Sequence, residues 1–199
     1  MEKISQVIVG IYQTNCYILK DNGHVCIIDP GKKAERICAE IGEDEVVDAI
    51  LLTHGHFDHI GAVDDLVKHY NCPVYIHADD EELLRDSSIN TASGFTATVS
   101  SKVYYFHEGK MKIGTFEFEI IFAPGHTEGC TLIQYKNHLF TGDVLFYEGI
   151  GRTDLYGGNM AKMKQSLRLI QTMNPELIVY PGHGELSTID HELKMNPYL

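Results

Sequence analysis

The sequence predicts an α/β protein in which two β-sheets pack together with helices on the outside. Short apolar runs alternate with stretches of helical spacing through the first third, and a β-rich block over 103–141 is followed by one helix and one more strand. At 199 residues, 44% hydrophobic and 22% charged, the chain predicts one domain, 1–199, with a sizeable core.

The elements follow in order. Residues 16–20 and 25–29 are short apolar runs that read as strands, and Asp29-Pro30-Gly31 stops the second. Ala34, Ile37, Cys38 and Ile41 then recur at helical spacing. Residues 49–53 read as another strand, after which Ile60, Val63, Leu66, Val67 and Tyr70 repeat with a helical period. Residues 73–76 predict a strand and 79–85 a short helix with an acidic head. The stretch DSSINTASGFTATVSS, 86–101, is rich in Ser, Thr, Asn and Gly and has Phe95 as its only aromatic. It predicts a loop or lid with little to bury. Strands are expected at 103–106, 112–113, 115–122, 131–135 and 138–141. Met160, Met163, Leu167, Ile170 and Met173 mark a helix, and 177–180 a last strand.

Composition narrows the function classes. A formal net charge of -12 disfavours a nucleic-acid binder, which needs a basic face. No run approaches the ~20 apolar residues of a membrane span. The opening MEKISQVIVG lacks a basic leader followed by a long apolar core, and five scattered cysteines without a CxxC pair fit a reducing compartment. A cytoplasmic protein with no membrane partner is therefore expected. The sequence sets no oligomeric state.

The chemistry concentrates in LLTHGHFDHIGAV, 51–63, at a strand-to-helix junction where α/β proteins often place their sites. His and Asp are ligands for first-row metals such as Zn²⁺, Fe²⁺ and Mn²⁺. His54 and His56 alternate along an extended loop and can point to one side. Asp58 and His59, where the chain turns into the helix, can point to a neighbouring position. Four ligands are too few for two metals. Three further candidates each end an apolar strand: His126 in APGHT, Asp143 in LFTGD and His183 in YPGH. The other histidines (His24, His69, His77, His107, His138 and His191) have no such setting and read as surface or capping residues.

The order HxHxDH…H…D…H resembles the metallo-β-lactamase superfamily over nearly the whole chain. The resemblance implies a four-layer αββα sandwich with its site at the sheet edges. Thr14-Asn15-Cys16-Tyr17, Ile28-Asp29-Pro30-Gly31, Thr53 to His59, Gly142 to Phe146, Gly151-Arg152-Thr153-Asp154 and Asn196-Pro197-Tyr198 resemble glyoxalase II-like hydrolases more closely. That resemblance implies two divalent ions, zinc first and iron or manganese otherwise. His54, His56 and His126 would hold one, and Asp58, His59 and His183 the other, with Asp143 between them. Asp58 and Asp143 would be the catalytic carboxylates. Asp29 matches an acid that orients a ligand histidine, although a turn Asp before Pro-Gly is the alternative. Arg152 and Tyr147 fall where substrate contacts are expected, with a surface salt bridge and plain aromatic packing as the alternatives; Tyr156 flanks the same stretch. The glutathione-specific enzymes carry a basic C-terminal helical extension, and a short form without it is expected here. The expectation is therefore a thioester or ester hydrolase acting on a small molecule.

Three rivals stand beside it. A one-iron persulfide dioxygenase would use His54, His126 and Asp143. A lactone or phosphoester hydrolase would use the same two-metal core. A non-catalytic, metal-stabilised binding protein would need no open ligand position. No GxSxG motif offers a serine nucleophile, and Cys130, four residues after His126, reads as a buried structural cysteine.

Overall fold

The computed structural model describes residues 2–199. Its first half runs β1 (Lys3–Val9), β2 (Thr14–Asp21), β3 (His24–Ile28), α1 (Ala34–Cys38), β4 (Val46–Leu51), α2 (Phe57–Ile60), α3 (Val63–Tyr70), β5 (Val74–Ile76), α4 (Glu81–Arg85), a small hairpin of β6 (Thr91–Ala92) and β7 (Phe95–Thr96), and β8 (Val103–Tyr105). The second half runs β9 (Gly109–Ile113), β10 (Phe116–Phe122), β11 (Thr131–Tyr135), β12 (His138–Gly142), β13 (Leu145–Phe146), β14 (Gly149–Ile150), α5 (Met160–Ile170), β15 (Ile178–Pro181), β16 (Ser187–Thr188) and α6 (Ile189–Met195).

Two six-stranded sheets result, in the orders β1-β2-β3-β4-β5-β8 and β16-β15-β12-β11-β10-β9. In the first, β1, β2 and β3 are antiparallel neighbours, and β3, β4, β5 and β8 run parallel. The second is antiparallel except where β12 meets β15.

The period-2 alternation of the strands separates three apolar clusters. In β2, Tyr17 and Leu19 face the second sheet while Cys16 and Ile18 face the helices. The inter-sheet cluster joins Leu19, Ile28 and Leu51 to Phe116, Phe118, Ile120 and Phe140. A second cluster packs Ile27, Ile50 and Leu52 against Ile37, Val63 and Leu66 of α1 and α3. The third packs Leu132, Leu139 and Val179 against Met163, Leu167 and Ile170 of α5 and Ile189 of α6. Three cores between four layers make the αββα sandwich. Each fully buried large side chain contributes about 1.5–3 kcal/mol of burial energy.

The expected elements differ in several places, three of which bear on the site's surroundings. The helix expected after Pro30-Gly31 stops at Cys38, so Ile41 lies beyond it and packs on the same cluster from the following loop. The segment 86–101 is not simply exposed loop. It contains the β6–β7 hairpin, and Asn90 and Val99 are buried. The strands β1 and β16, the hairpin β13–β14 and helix α6 carry too short an apolar signal to be read from the sequence. Edge strand β1, for example, buries only Val7 and Val9.

Among the described residues, no helix is long and apolar enough to cross a membrane.

Candidate metal centre

The seven candidate ligands converge where β4, β10, β12 and β15 end. Two donor groups form, each with its ligand atoms within 4.8 Å of one another: His54, His56 and His126, and Asp58, His59 and His183. Asp143 lies between them. Its Oδ1 is 3.4 Å from His59 Nε2, while its Oδ2 is 3.4 Å from His126 Nε2 and 3.5 Å from His183 Nε2. His54 and His59 are fully buried, and His56, His126 and Asp143 nearly so. Asp58 and His183 are half-buried at the mouth.

The backbone reaches this geometry by close approach. A Cβ on Gly182 would sit 2.2 Å from Asp143 Oδ1 and 2.7 Å from His59 Cε1, so only glycine lets β15 pass the carboxylate.

The outer nitrogen of four rings is held by the protein. His126 Nδ1 donates to the Arg152 carbonyl at 2.7 Å, and His183 Nδ1 to the Tyr12 carbonyl at 2.9 Å. His59 Nδ1 donates to Asp29 Oδ2 at 3.0 Å. The Thr53 hydroxyl gives its proton to the same Asp29 oxygen at 2.6 Å, so it accepts from His54 Nδ1 at 3.1 Å. In its neutral form, each of these rings then presents its Nε2 lone pair inward. His126 Nε2 faces His56 Nδ1 at 2.8 Å, and His59 Nε2 faces His183 Nε2 at 3.3 Å. His54 Nε2 and Asp143 Oδ1 are buried without a hydrogen-bond partner among the described residues. Converging lone pairs and an orphaned carboxylate oxygen fit a cation. So does the charge: Asp29, Asp58 and Asp143 pair only with histidines among the described residues.

The electrostatics divide the rings. Burial, reinforced by the charge on His59, pushes His54 well below the ordinary imidazole range. Burial and the neighbouring His126 lower His56 to about 3. Burial also opposes charge on His59 and His183, but the carboxylates outweigh it. Asp143, Asp58 and Asp29 raise His59 well above its ordinary value, and hydrogen bonds to Asp143 and Asp58 raise His183 to about 9. Burial opposes ionisation of Asp143 and Asp58 too, yet the charge on His59 holds both below the ordinary carboxylate range, Asp143 well below.

A cavity of about 440 Å³ opens over the cluster, lined by His56, Asp58, His126, Asp143 and His183 and walled by Tyr12, Phe57, Phe146 and Leu155. Arg152 lines it too, but its guanidinium makes a two-pronged ion pair with Asp154 at 2.7 and 2.8 Å. Tyr147 does not line it. The β13–β14 hairpin turns Phe146 into the cavity and leaves Tyr147 half exposed, stacked on His191 at 4.8 Å. Tyr156 also lies outside, its hydroxyl donating to Glu82. Cys130 is buried, and burial raises its thiol well above the ordinary range, so it offers no thiolate.

Sequence reasoning missed the supports. Buried Asp80 accepts from Gly55 N and the Thr127 hydroxyl on one oxygen and from Gly129 N on the other. It thereby ties the His54–His56 loop to the His126 loop. Asn90, also buried, accepts from Phe57 N and donates to the Gly55 and Leu83 carbonyls. Asn15 donates to the Pro181 and Gly184 carbonyls on either side of His183, and the Thr14 hydroxyl donates to Asp58 at 3.1 Å. The TNCY stretch was the available signal for this last pair. Nothing in the local sequence marks Asp80 or Asn90.

Comparison with known proteins agrees with this architecture. A family model described as the metallo-beta-lactamase superfamily matches residues 9–183. The chain is 37% identical to the probable metallo-hydrolase YqgX of Bacillus subtilis (strain 168), covering 96% of this chain and 94% of that one. It is 36% identical to the hydroxyacylglutathione hydrolase GloC of Haemophilus influenzae, covering 96% and 95%. Its fold superposes on the crystal structure of the B3 metallo-beta-lactamase BLEG-1 with a TM-score of 0.94 at 38% identity, covering 99% of both chains. It also superposes on the di-iron-bound form of TTHA1623 with a TM-score of 0.89 at 33% identity, covering 98% and 100%. The chain belongs to the metallo-β-lactamase superfamily, and relatives such as YqgX and GloC carry hydrolase names.

Proposed function

We propose that the protein hydrolyses a thioester of the hydroxyacylglutathione type, using two divalent ions held by His54, His56 and His126 and by Asp58, His59 and His183, with Asp143 shared. The observation that carries this is the set of inward lone pairs on His54, His59, His126 and His183 around the orphaned Asp143 Oδ1. Resemblance to GloC supports the thioester class. Zinc is the first expectation, and the di-iron form of TTHA1623 supports iron as the alternative.

Bound ions of this kind supply a hydroxide nucleophile at neutral pH and a Lewis acid for the acyl carbonyl. The chain's own residues do the rest. Asp58, at the cavity mouth and with Oδ2 held by the Thr14 hydroxyl, orients the attacking oxygen and takes up its proton on the carboxylate. Asp29 fixes the tautomer of His59 directly and that of His54 through Thr53. Phe57, Phe146 and Leu155 exclude water from the acyl group. A thiolate leaves without help from an acid. Arg152 stands at the rim to receive a substrate carboxylate in exchange for Asp154.

The test is elemental analysis of the purified protein with an S-lactoylglutathione assay on the same sample. Expected are about two ions per chain and thiol release. About one iron per chain without hydrolysis would replace this reading with a one-metal dioxygenase.

A further inference from the structure

A second cavity, also about 440 Å³, adjoins the first. The two share Tyr12, Phe57 and Asp58 as lining residues. The Tyr12 ring stands at the boundary, edge-on to Phe57 at 5.4 Å and to Phe95 of the β6–β7 hairpin at 6.3 Å. Beyond it the groove is apolar along Ile8, Ile11, Phe95 and Ala97. Ile11 is 65% exposed and Ile8 49%, high for large apolar side chains sharing one groove.

The far wall is basic. Lys32, Lys33 and Arg36 line it, and Asp58 is the only acid that does. The chain carries 28 acidic against 16 basic residues. Three cations on one groove therefore reverse the local sign of a net -12 molecule. They are also positioned. Gly31, next to Lys32, packs so tightly on the backbone of Asp58 that a Cβ there would meet its carbonyl at 1.7 Å. Arg36 reaches across to the Ile8 carbonyl at 3.0 Å. Lys33 has only a long, exposed contact to Glu35 at 3.9 Å, and no ion pair of Lys32 is present among the described residues.

We infer that this groove is a subsite for an amphipathic, anionic tail of the substrate: an apolar linker ending in a phosphate or a carboxylate. The linker passes Tyr12 and Phe57, and the anion rests on Lys32, Lys33 and Arg36. The inference deepens the thioester-hydrolase reading and rests on it. The subsite is separate from the Arg152 rim, since Arg152 lines only the first cavity.

The experiment uses the metal-loaded protein and three thioesters with one acyl group. Their thiols are N-acetylcysteamine (uncharged), glutathione (carboxylates) and pantetheine 4′-phosphate (phosphate). The variant is Lys32→Glu with Lys33→Asn, asparagine being chosen because position 33 has a φ of 63°. For the anionic thioester the variant should raise KM about tenfold, with kcat and the neutral thioester unchanged, an effect that shrinks in high salt. An effect confined to the phosphate tail assigns a phosphate ester, and one confined to glutathione a peptide carboxylate. Equal effects on all three tails, or none, overturn the subsite. Calorimetric titration with the unhydrolysable S-methyl thioethers of the same thiols separates the two readings. Thioether binding that the variant loses, in a protein without turnover, keeps the groove and sinks the hydrolase. Turnover without tail preference or thioether binding does the reverse.

Discussion

His59 Nε2 and His183 Nε2 face each other 3.3 Å apart, while each ring's Nδ1 is already committed, to Asp29 and to the Tyr12 carbonyl. When both rings are neutral, two lone pairs at that distance repel, and a positive charge, whether a proton or a metal ion, relieves the repulsion. The surrounding carboxylates make that charge welcome by raising both rings' proton affinity. The site is thus built for a cation before any ion arrives.

Metal removal should be costly. A ligand present at a hundred times its Kd stabilises the folded state by about 2.7 kcal/mol. Stripping with a chelator should lower Tm by about 5–10 °C, and zinc or iron should restore it. An unchanged Tm after complete removal would count against a metal site in the folded core.

Metal uptake should respond to pH differently at the two donor groups. His183, raised to about 9 by Asp143 and Asp58 against the effect of burial, carries a proton below that pH in the metal-free protein. A metal must displace it, so affinity at the Asp58–His59–His183 group falls as pH drops below about 9. His56, lowered by burial and His126 to about 3, stays neutral throughout. His56 therefore adds no proton competition of its own to its group between about pH 6 and pH 8. Chelator competition on the two binding steps measures this, and equal slopes would refute it.

His56→Ala should abolish metal binding at the first group and activity together. Full activity without metal in that variant would sink the mechanism. Asp29→Asn, which weakens the hold on His59 and Thr53, should cost about 10–100-fold in metal affinity.

Asp80 offers a sharper test of support at a distance. Both its oxygens are acceptors, so Asp80→Asn points an amide at an N–H or hydroxyl donor, and Asp80→Ala strands three donors. Each stranded buried donor costs about 1–3 kcal/mol. Denaturant unfolding should show a loss of about 3 kcal/mol or more for Asp80→Ala. Metal affinity should fall chiefly at the His54–His56–His126 group, whose loops Asp80 joins.

Gly182→Ala should leave secondary structure intact by circular dichroism but displace Asp143 and His59, which a new Cβ would meet at 2.2 and 2.7 Å. Metal content well below wild type is expected, and wild-type loading would show that β15 can retreat from the carboxylate.

Two packed sheets with helices outside were legible in the sequence because strand alternation and helical spacing are local properties, while the four-layer αββα order was what the family resemblance implied. Thr131–Tyr135 was read at its full extent, and Met163, Leu167 and Ile170 marked the buried face of α5. The candidate ligands were legible for a related reason: four crowd one strand-to-helix junction and His126, Asp143 and His183 each follow an apolar strand, so chain order alone exposes them. What lies behind the ligands was not. Asp80 reaches Gly129 across a sequence separation of 49 and Gly55 across 25, and Asn90 joins Phe57 to Gly55 from a segment that reads as loop. Tyr147 and Phe146 are adjacent aromatics, and only the hairpin's pleat decides that Phe146 faces the cavity. The basic groove likewise exists only after β1, the loop before α1 and the β6–β7 hairpin have been folded together. Periodicity and strand ends are written in the order of residues. Which polar groups meet, and which side chain faces a cavity, depends on contacts between segments that the chain order does not specify.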